Sequence, residues 1–268
     1  MIKSNINHLS KAIVTLLLLT ASSTVFGWGM TGHRVISEIA ETHLSKKAKK
    51  NIYQLVGNQK LAYWSNWADF IKSDPNPELQ KTGSWHFVNT SGNLSYTDFV
   101  TELKASPDDN LYKAYAALRK DAKARQGDLA SRQQQLYFII HLLADAHQPM
   151  HVSRKEDLGG NLINVTFFGR KSNIHRVWDS DLVDNEKYSY TEYARVLDFD
   201  KNNYAKHTQS SLEEWLYESH QLANEIYDDV AKDNNLSYKY IFNYKSKMES
   251  CLLKAGLRLA KELNDIYG

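Results

Sequence analysis

Apolar residues recur every three to four positions through five long segments of this chain, a spacing typical of helices that bury one face. The segments cover 35–44, 111–118, 136–146, 212–230 and 248–266. Glycine and proline, which interrupt helices, number only 12 and 4. Pro149 should end the third helix, and the alternating, β-branched run at 163–168 indicates a strand. We therefore expect an all-α single domain over 28–268, with a small β-hairpin near 162–176.

The first 27 residues have the layout of a secretory signal peptide. Lys3 and Lys11 precede an apolar run at 12–21, and Val25 and Gly27 occupy the −3 and −1 positions of a cut after Gly27. The run is shorter than the roughly 20 residues that a membrane-spanning helix needs, so an anchor is the less favoured alternative. We expect Sec-type export to the periplasm or the medium, no membrane attachment after cleavage, and a mature chain that begins at Trp28.

Charge and cysteine content exclude several classes of protein. The chain has 33 basic and 31 acidic residues, a net charge of +2. Because the leader holds two lysines and no acid, the mature chain is neutral, which disfavours stable binding to duplex nucleic acid. Cys251 is the single cysteine, so no intramolecular disulfide can form and a cysteine-based zinc site is disfavoured. Cys251 lies in an apolar helical stretch and should be buried.

Histidines and aspartates recur along the mature chain at spacings that suit metal ions. The candidates are His33, Asp69, His86, His141, Asp145, His151, His175 and Asp179. Two pairs, His141–Asp145 and His175–Asp179, are four residues apart, which places both side chains of each pair on one helix face. Imidazole and carboxylate ligands without thiolate suit zinc in a hydrolytic site. A single histidine taken alone is more often an ordinary hydrogen-bonding residue than a metal ligand. We expect that ordinary role for His43, His147, His207 and His220.

The same residues stand within a series of longer motifs. In order these are Trp28-Gly29-x-x-Gly32-His33, Trp67-Ala68-Asp69, Trp85-His86-Phe87-Val88, His141-x-x-x-Asp145-x-His147-Gln148-Pro149-Met150-His151, Gly159-Gly160-Asn161 and His175-x-x-Trp178-Asp179. This order resembles the S1/P1 family of zinc-dependent nucleases over nearly all of the mature chain. The lack of cysteine pairs departs from fungal members and, with the leader, favours a bacterial member.

The resemblance implies three zinc ions. The first would be held by Asp69, His86, His141 and Asp145. The second would be held by His151, His175 and Asp179. The third would be held by His33, by Asp145 as a bridge, and by the amino nitrogen and carbonyl of Trp28. Because an α-amino group can bind metal only when it is free, cleavage after Gly27 would complete this site.

The resemblance also implies a mechanism and a substrate. Clustered zinc lowers the pKa of a shared water and stabilises the leaving 3′ oxygen. Asp69 could accept a proton from that water, and Lys72 should neutralise charge in the transition state. The products would be 5′-mononucleotides from single-stranded RNA or DNA, and 3′-nucleotides would lose their phosphate.

Three further residues match substrate contacts of the family. Phe87 matches a position that stacks a nucleobase, which favours single strands. Asn89 stands where fungal members carry Asp, so base preference is open. Asn161 matches an asparagine that contacts base or phosphate. No sequence feature fixes the oligomeric state, and a monomer is the simplest expectation.

Two alternatives remain open. A zinc phospholipase C is similar in fold and metal cluster, but its second site ends in Glu where this chain has Asp179. A helical periplasmic zinc-binding protein without catalytic activity would explain the ligands but would leave Lys72 and Phe87 without a role.

Overall fold

The structure is a computed structural model that describes residues 27–200 and 202–268. The predicted leader therefore lies outside the described residues, apart from Gly27. The helices are α1 (Met30–Thr42), α2 (Lys46–Val56), α3 (Leu61–Trp64), α4 (Trp67–Phe70), α5 (Pro77–Gln80), α6 (Tyr96–Ala105), α7 (Leu111–Lys123), α8 (Leu129–Asp145), α9 (Ile174–Arg176), α10 (Leu182–Asn185), α11 (Tyr190–Leu197), α12 (Asn203–His207), α13 (Leu212–Lys232) and α14 (Tyr238–Tyr267). The strands are β1 (Val88–Asn89), β2 (Val152–Ser153), β3 (Asn164–Phe167), β4 (Arg170–Asn173) and β5 (Asn235–Leu236).

Helix α8 runs through the interior of the protein. Every residue of its second half, 136–145, is buried, and α1, α2, α4, α7 and α14 pack around it. Asp128 caps its first turn by accepting a hydrogen bond from the Ser131 amide. The helix ends at Asp145 and the proline follows at 149, as the sequence predicts. The end of α8 therefore places its polar residues deep inside the protein.

Helices α1 and α14 form the other main contact of the core. Gly256 of α14 faces Ile39 of α1, and a Cβ added to the glycine would lie 2.6 Å from the Ile39 Cβ. The two helices are therefore as close as a glycine permits. This contact fixes α1, which carries His33, against the longest helix of the fold.

Two small sheets position loops. Strands β1 and β2 are parallel, with Val88 opposite Val152. This pairing brings the chain after His86 beside the chain after His151. Strands β3 and β4 form the predicted hairpin, with Asn164 opposite Asn173, and β5 pairs in parallel with β3.

The all-α prediction with one hairpin is confirmed, with corrections at three places. The hairpin ends at Asn173, and 174–176 form the short helix α9. Helix α14 begins ten residues before the predicted start, because Tyr240 and Tyr244 extend its buried stripe while their hydroxyls keep hydrogen-bond partners. Cys251 is half-buried rather than buried. In the described part of the chain, no helix combines the length and apolar character needed to cross a bilayer.

Candidate metal centre

The predicted metal ligands converge from five separate parts of the chain. They come from α1, from the segment 69–86, from the end of α8, from the turn that holds His151, and from the α9 region. Three groups have ligand atoms within 4.8 Å of one another. These are His33, His141 and Asp145; Asp69, His86 and His141; and His151, His175 and Asp179.

Asp145 lies at the centre of the groups. Its Oδ2 is 3.1 Å from His86 Nδ1 and 3.2 Å from His141 Nε2, and its Oδ1 is 3.4 Å from His33 Nε2. Oδ2 also lies 3.9 Å from Nδ1 of His151, which belongs to the third group. All five side chains are fully buried, so the first two groups share or contact one carboxylate, and the third group lies directly beside it.

The third group is closed by its own aspartate. Asp179 Oδ2 is 3.2 Å from His175 Nε2, and Asp179 Oδ1 is 3.7 Å from His151 Nε2. Gln148, which is fully buried, donates a hydrogen bond from its side-chain amide to Asp179 Oδ1. Gln148 is part of a sequence motif, but its spacing gave no reason to assign it this orienting role.

Backbone carbonyls orient three of the histidine rings. The Nδ1 atoms of His141, His151 and His175 lie 2.7, 2.5 and 2.6 Å from the carbonyls of Ser65, His86 and Gly159. A carbonyl can only accept, so each Nδ1 carries the proton and each Nε2 presents a lone pair to the site. This arrangement is typical of histidine that binds metal. It also gives the Gly159-Gly160 turn a role, since its positive φ angles of 66° and 82° place the Gly159 carbonyl against His175.

Several buried polar atoms in the site form no hydrogen bond among residues 27–200 and 202–268. They include both ring nitrogens of His33, His86 Nε2 and Asp145 Oδ1. Leaving buried donors or acceptors without partners is costly, and native proteins satisfy nearly all of them. Two of them, His33 Nε2 and Asp145 Oδ1, face each other at 3.4 Å, and a nitrogen–oxygen pair left without hydrogen bonds fits a cationic metal such as zinc.

The pKa shifts of two histidines and two aspartates agree with this fit. Burial lowers the pKa of His86 to about 4 and also lowers the pKa of His33, so both rings are neutral at pH 7, as metal binding requires. Burial alone would raise the pKa of Asp145, but His141 and His151 hold it well below its usual range. Burial would likewise raise the pKa of Asp69, and His141 and then Lys72 hold it below the ordinary value. Both aspartates therefore carry a negative charge.

Asp69 lies at the edge of the site and pairs with Lys72. Its Oδ1 is 2.6 Å from Lys72 Nζ, 3.6 Å from His141 Nε2 and 3.7 Å from His86 Nδ1. Lys72 is therefore held beside the three ligand groups by Asp69 rather than extended into solvent. Its helical position three residues after Asp69 accounts for this geometry.

The predicted substrate residues lie in two different cavities. Phe87 and Asn89 line a cavity of about 340 Å³ with Asp108 and Asp109. Asn161 lines a separate cavity of about 770 Å³, and its side-chain amide donates to the Leu158 carbonyl at 2.8 Å. The sequence predicted neither Asp108 nor Asp109, because nothing in the sequence links them to Phe87.

Trp28 is fully buried at the start of α1. The backbone at the preceding residue, Gly27, approaches the site so closely that an added Cβ would clash with Asp145 Oδ1. The peptide that the predicted cut would break therefore lies against the central carboxylate.

The histidines that were expected to have ordinary roles lie outside the three groups. His43 is 2.8 Å from Asp198, His147 is 3.0 Å from Arg258, and His220 is 3.3 Å from Thr90. His207, half-buried on α12, offers its backbone carbonyl to Arg258 at 2.9 Å.

Comparison with known proteins adds an independent finding. Residues 28–268 match the profile of the family described as S1/P1 Nuclease. The chain is 27% identical to Endonuclease 2 of Arabidopsis thaliana, over 97% of this chain and 98% of that protein. It is 23% identical to Nuclease P1 of Penicillium citrinum, over 90% of this chain and 98% of that protein. Among solved structures, Alpha Toxin from Clostridium Absonum matches with a TM-score of 0.45 and 18% identity, over 91% of this chain and 67% of that one.

Proposed function

This chain belongs to the S1/P1 nuclease family, and on that premise we propose that it is an exported, zinc-dependent phosphodiesterase that degrades single-stranded nucleic acid. Its products would be 5′-mononucleotides from RNA and DNA. Removal of the phosphate from 3′-nucleotides would be a second reaction at the same site. The neutral charge of the mature chain agrees with a preference for single strands over stable duplex binding.

The observation that carries this proposal is the packing of three ligand groups around Asp145. A structural zinc site needs four ligands around one ion and no more. Here nitrogen and oxygen donors sufficient for several ions surround one carboxylate, and a cavity lined by Asp69, His175 and Asp179 adjoins them. Such a linked set suits hydrolysis of a phosphate ester better than storage of one ion.

We assign the ligands to three ions. Asp69, His86, His141 and Asp145 would hold the first ion. His151, His175 and Asp179 would hold the second ion. His33, Asp145 and the amino nitrogen and carbonyl of Trp28 would hold the third ion. Close approach of the Gly27–Trp28 backbone to Asp145 supports the last assignment.

Bound zinc would lower the pKa of a water molecule and polarise the phosphate oxygens. The chain's own residues would do the rest. Asp69, ionised at the edge of the cavity, would accept a proton from the attacking water. Lys72, held 2.6 Å from Asp69, would neutralise charge that develops on the phosphate. Phe87 would stack a nucleobase, and Asn89 and Asn161 would contact base or phosphate.

Export would be coupled to maturation. Cleavage after Gly27 would free the amino group of Trp28, and the protein would act in the periplasm or the medium. A bacterial origin would fit a single cysteine in an exported enzyme.

Product analysis tests the proposal. The mature protein, starting at Trp28 and loaded with zinc, is incubated with single-stranded RNA and DNA, with and without EDTA. We expect EDTA-sensitive release of 5′-mononucleotides, identified by chromatography. Asp145→Asn should lose bound zinc and activity. Asp198→Asn, which removes an aspartate bonded to a histidine away from the site, is the matched control and should keep both.

The alternatives give different results in the same assay. Release of diacylglycerol from phosphatidylcholine without release of nucleotides would identify a phospholipase C. A protein that binds zinc and hydrolyses neither substrate would be a binding protein, and the proposed function would be wrong.

A further inference from the structure

The cavity that contains Asn161 also carries two exposed apolar side chains that the proposed function leaves unused. Its volume of about 770 Å³ lies within the range of about 300–1,000 Å³ for small-molecule sites. Asp69, His175 and Asp179 form part of its wall, so it opens directly onto the metal groups. Phe70 and Met30 line the same cavity, with 80% and 66% of their surface exposed.

Within residues 27–200 and 202–268, Phe70 takes no part in the hydrophobic core. It is the last residue of α4, and the helix uses other residues to pack inward. Ala68 is fully buried, and the Trp67 ring lies 5.2 Å from that of Tyr137. An exposed aromatic side chain beside a buried polar site offers apolar surface that a bound ligand can cover.

The position of Phe70 repeats that of Phe87. Each aromatic residue directly follows a ligand of the same group, since Phe70 follows Asp69 and Phe87 follows His86. The two ligands are neighbours, with Asp69 Oδ1 3.7 Å from His86 Nδ1. The cavities that Phe70 and Phe87 line have no lining residue in common. The group formed by Asp69, His86 and His141 therefore has an aromatic side chain beside it in each of two separate cavities.

The cavity of Phe70 also offers polar groups that suit a nucleotide. Arg176 lines it, and its side chain is largely exposed. The Nε atom of Arg176 lies 3.9 Å from Asp181 Oδ1, which is a loose ion pair. Asn173 lies beside Arg176 in the same wall. Guanidinium and amide groups are common contacts to phosphate and sugar oxygens.

We propose that Phe70, together with Met30, stacks the nucleobase on the 3′ side of the cleaved phosphodiester. The inference rests on the proposed function, in which Phe87 holds the base on the 5′ side. Stacking requires only the face of a base, so this site would accept any sequence. A 3′-mononucleotide has no nucleoside on the 3′ side, so Phe70 makes the enzyme favour strands over mononucleotides.

Kinetics on matched substrates test this role. The substrates are the dinucleotide ApA, adenosine 3′-methylphosphate, which replaces the second nucleoside by a methyl group, and 3′-AMP. We expect Phe70→Ala to lower kcat/KM for ApA about tenfold, equivalent to about 1.4 kcal/mol, and to leave the other two substrates within about twofold. Phe70→Trp should retain activity on ApA. Tyr63→Ala, which removes an aromatic residue of similar exposure outside the cavity, is the control and should change nothing.

A binding measurement without turnover gives a second readout. A methylphosphonate analogue of ApA, which resists hydrolysis, carries 2-aminopurine as its 3′ base. It should lose fluorescence on binding zinc-loaded wild-type protein and Tyr63→Ala, but not Phe70→Ala. Equal loss of activity on all three substrates, or no loss on ApA, would overturn the role of Phe70. Unchanged quenching in Phe70→Ala would overturn it as well. If the zinc-loaded wild type hydrolyses none of the substrates, the proposed function fails, and this inference fails with it.

Discussion

Replacement of Gly256 by alanine tests the contact between α1 and α14. The added methyl group would lie 2.6 Å from both Cβ and Cγ2 of Ile39 and 3.0 Å from the Ile36 carbonyl oxygen. Carbon atoms in van der Waals contact are about 3.5–4.0 Å apart, so the helices would have to separate by about 1 Å. Ile36 and Ile39 are fully buried, so neither can move into solvent.

Two opposing effects set the magnitude. Alanine is the better helix former by about 1 kcal/mol. Overpacking a buried contact costs about 1–3 kcal/mol, and this site has a β-branched side chain and backbone on the opposing side, which yield little. Because these neighbours yield little, we take the upper part of that range, about 2–3 kcal/mol, and subtract the helix gain of about 1 kcal/mol. We therefore expect Gly256→Ala to lower the free energy of unfolding by about 1–2 kcal/mol.

Urea denaturation of the mature protein measures this change as a shift of the midpoint at constant slope. Gly83→Ala is the control, because no atom lies within 4 Å of its added methyl, and it should change stability by less than about 0.5 kcal/mol. Gly256→Ala should cost less in an Ile39→Ala background, where Cγ2 is absent. A Gly256→Ala protein as stable as the wild type, with the same slope, would refute the packing argument.

Three other predictions concern the site and the acid range. Lys72→Met should keep its zinc but lose about 100-fold in kcat, measured by steady-state kinetics with metal analysis, and zinc loss would instead indicate a structural role. One residue added before Trp28 should remove one zinc and most activity, and full activity would contradict the amino-terminal ligand. Burial alone would raise the pKa of Glu218, but its ion pair with Arg258 lowers that pKa from 4.5 to about 2. The pair's contribution to the free energy of unfolding is therefore complete above pH 4.5 and is lost as the pH falls toward 2. Between pH 5 and pH 3 the melting temperature should therefore fall more for wild type than for Glu218→Gln, and parallel curves would contradict this.

The sequence predicted the helices where apolar periodicity is plain, and it missed those in which polar atoms share the buried face. The first ten residues of α14 were missed because tyrosines form their stripe. A tyrosine can be buried when its hydroxyl has a partner, as Tyr240 has in Trp178, and that partner is remote in sequence. Short elements such as α9 were missed because three residues are too few to show a helical repeat of apolar positions.

The candidate ligands could be identified from residue type, spacing and family resemblance, and the structure brings them together. Their supporting residues could not. Gln148 and the Ser65 carbonyl act on ligands far away in the chain, so no local pattern reveals them. Phe70 is an isolated exposed aromatic in the sequence, and only the cavity beside Asp69 gives it meaning.

The spread of the ligands along the chain has a consequence for folding. Under the proposed assignment, the ions tie α1, the segment 69–86, the end of α8 and the α9 region to one another, in a chain whose single thiol allows no covalent cross-link of its own. Each such tie closes a long loop, and loop closure removes entropy from the unfolded chain. Zinc would then act as a reversible cross-link, and the concentration of free zinc around the protein would set how strongly it resists unfolding and proteolysis.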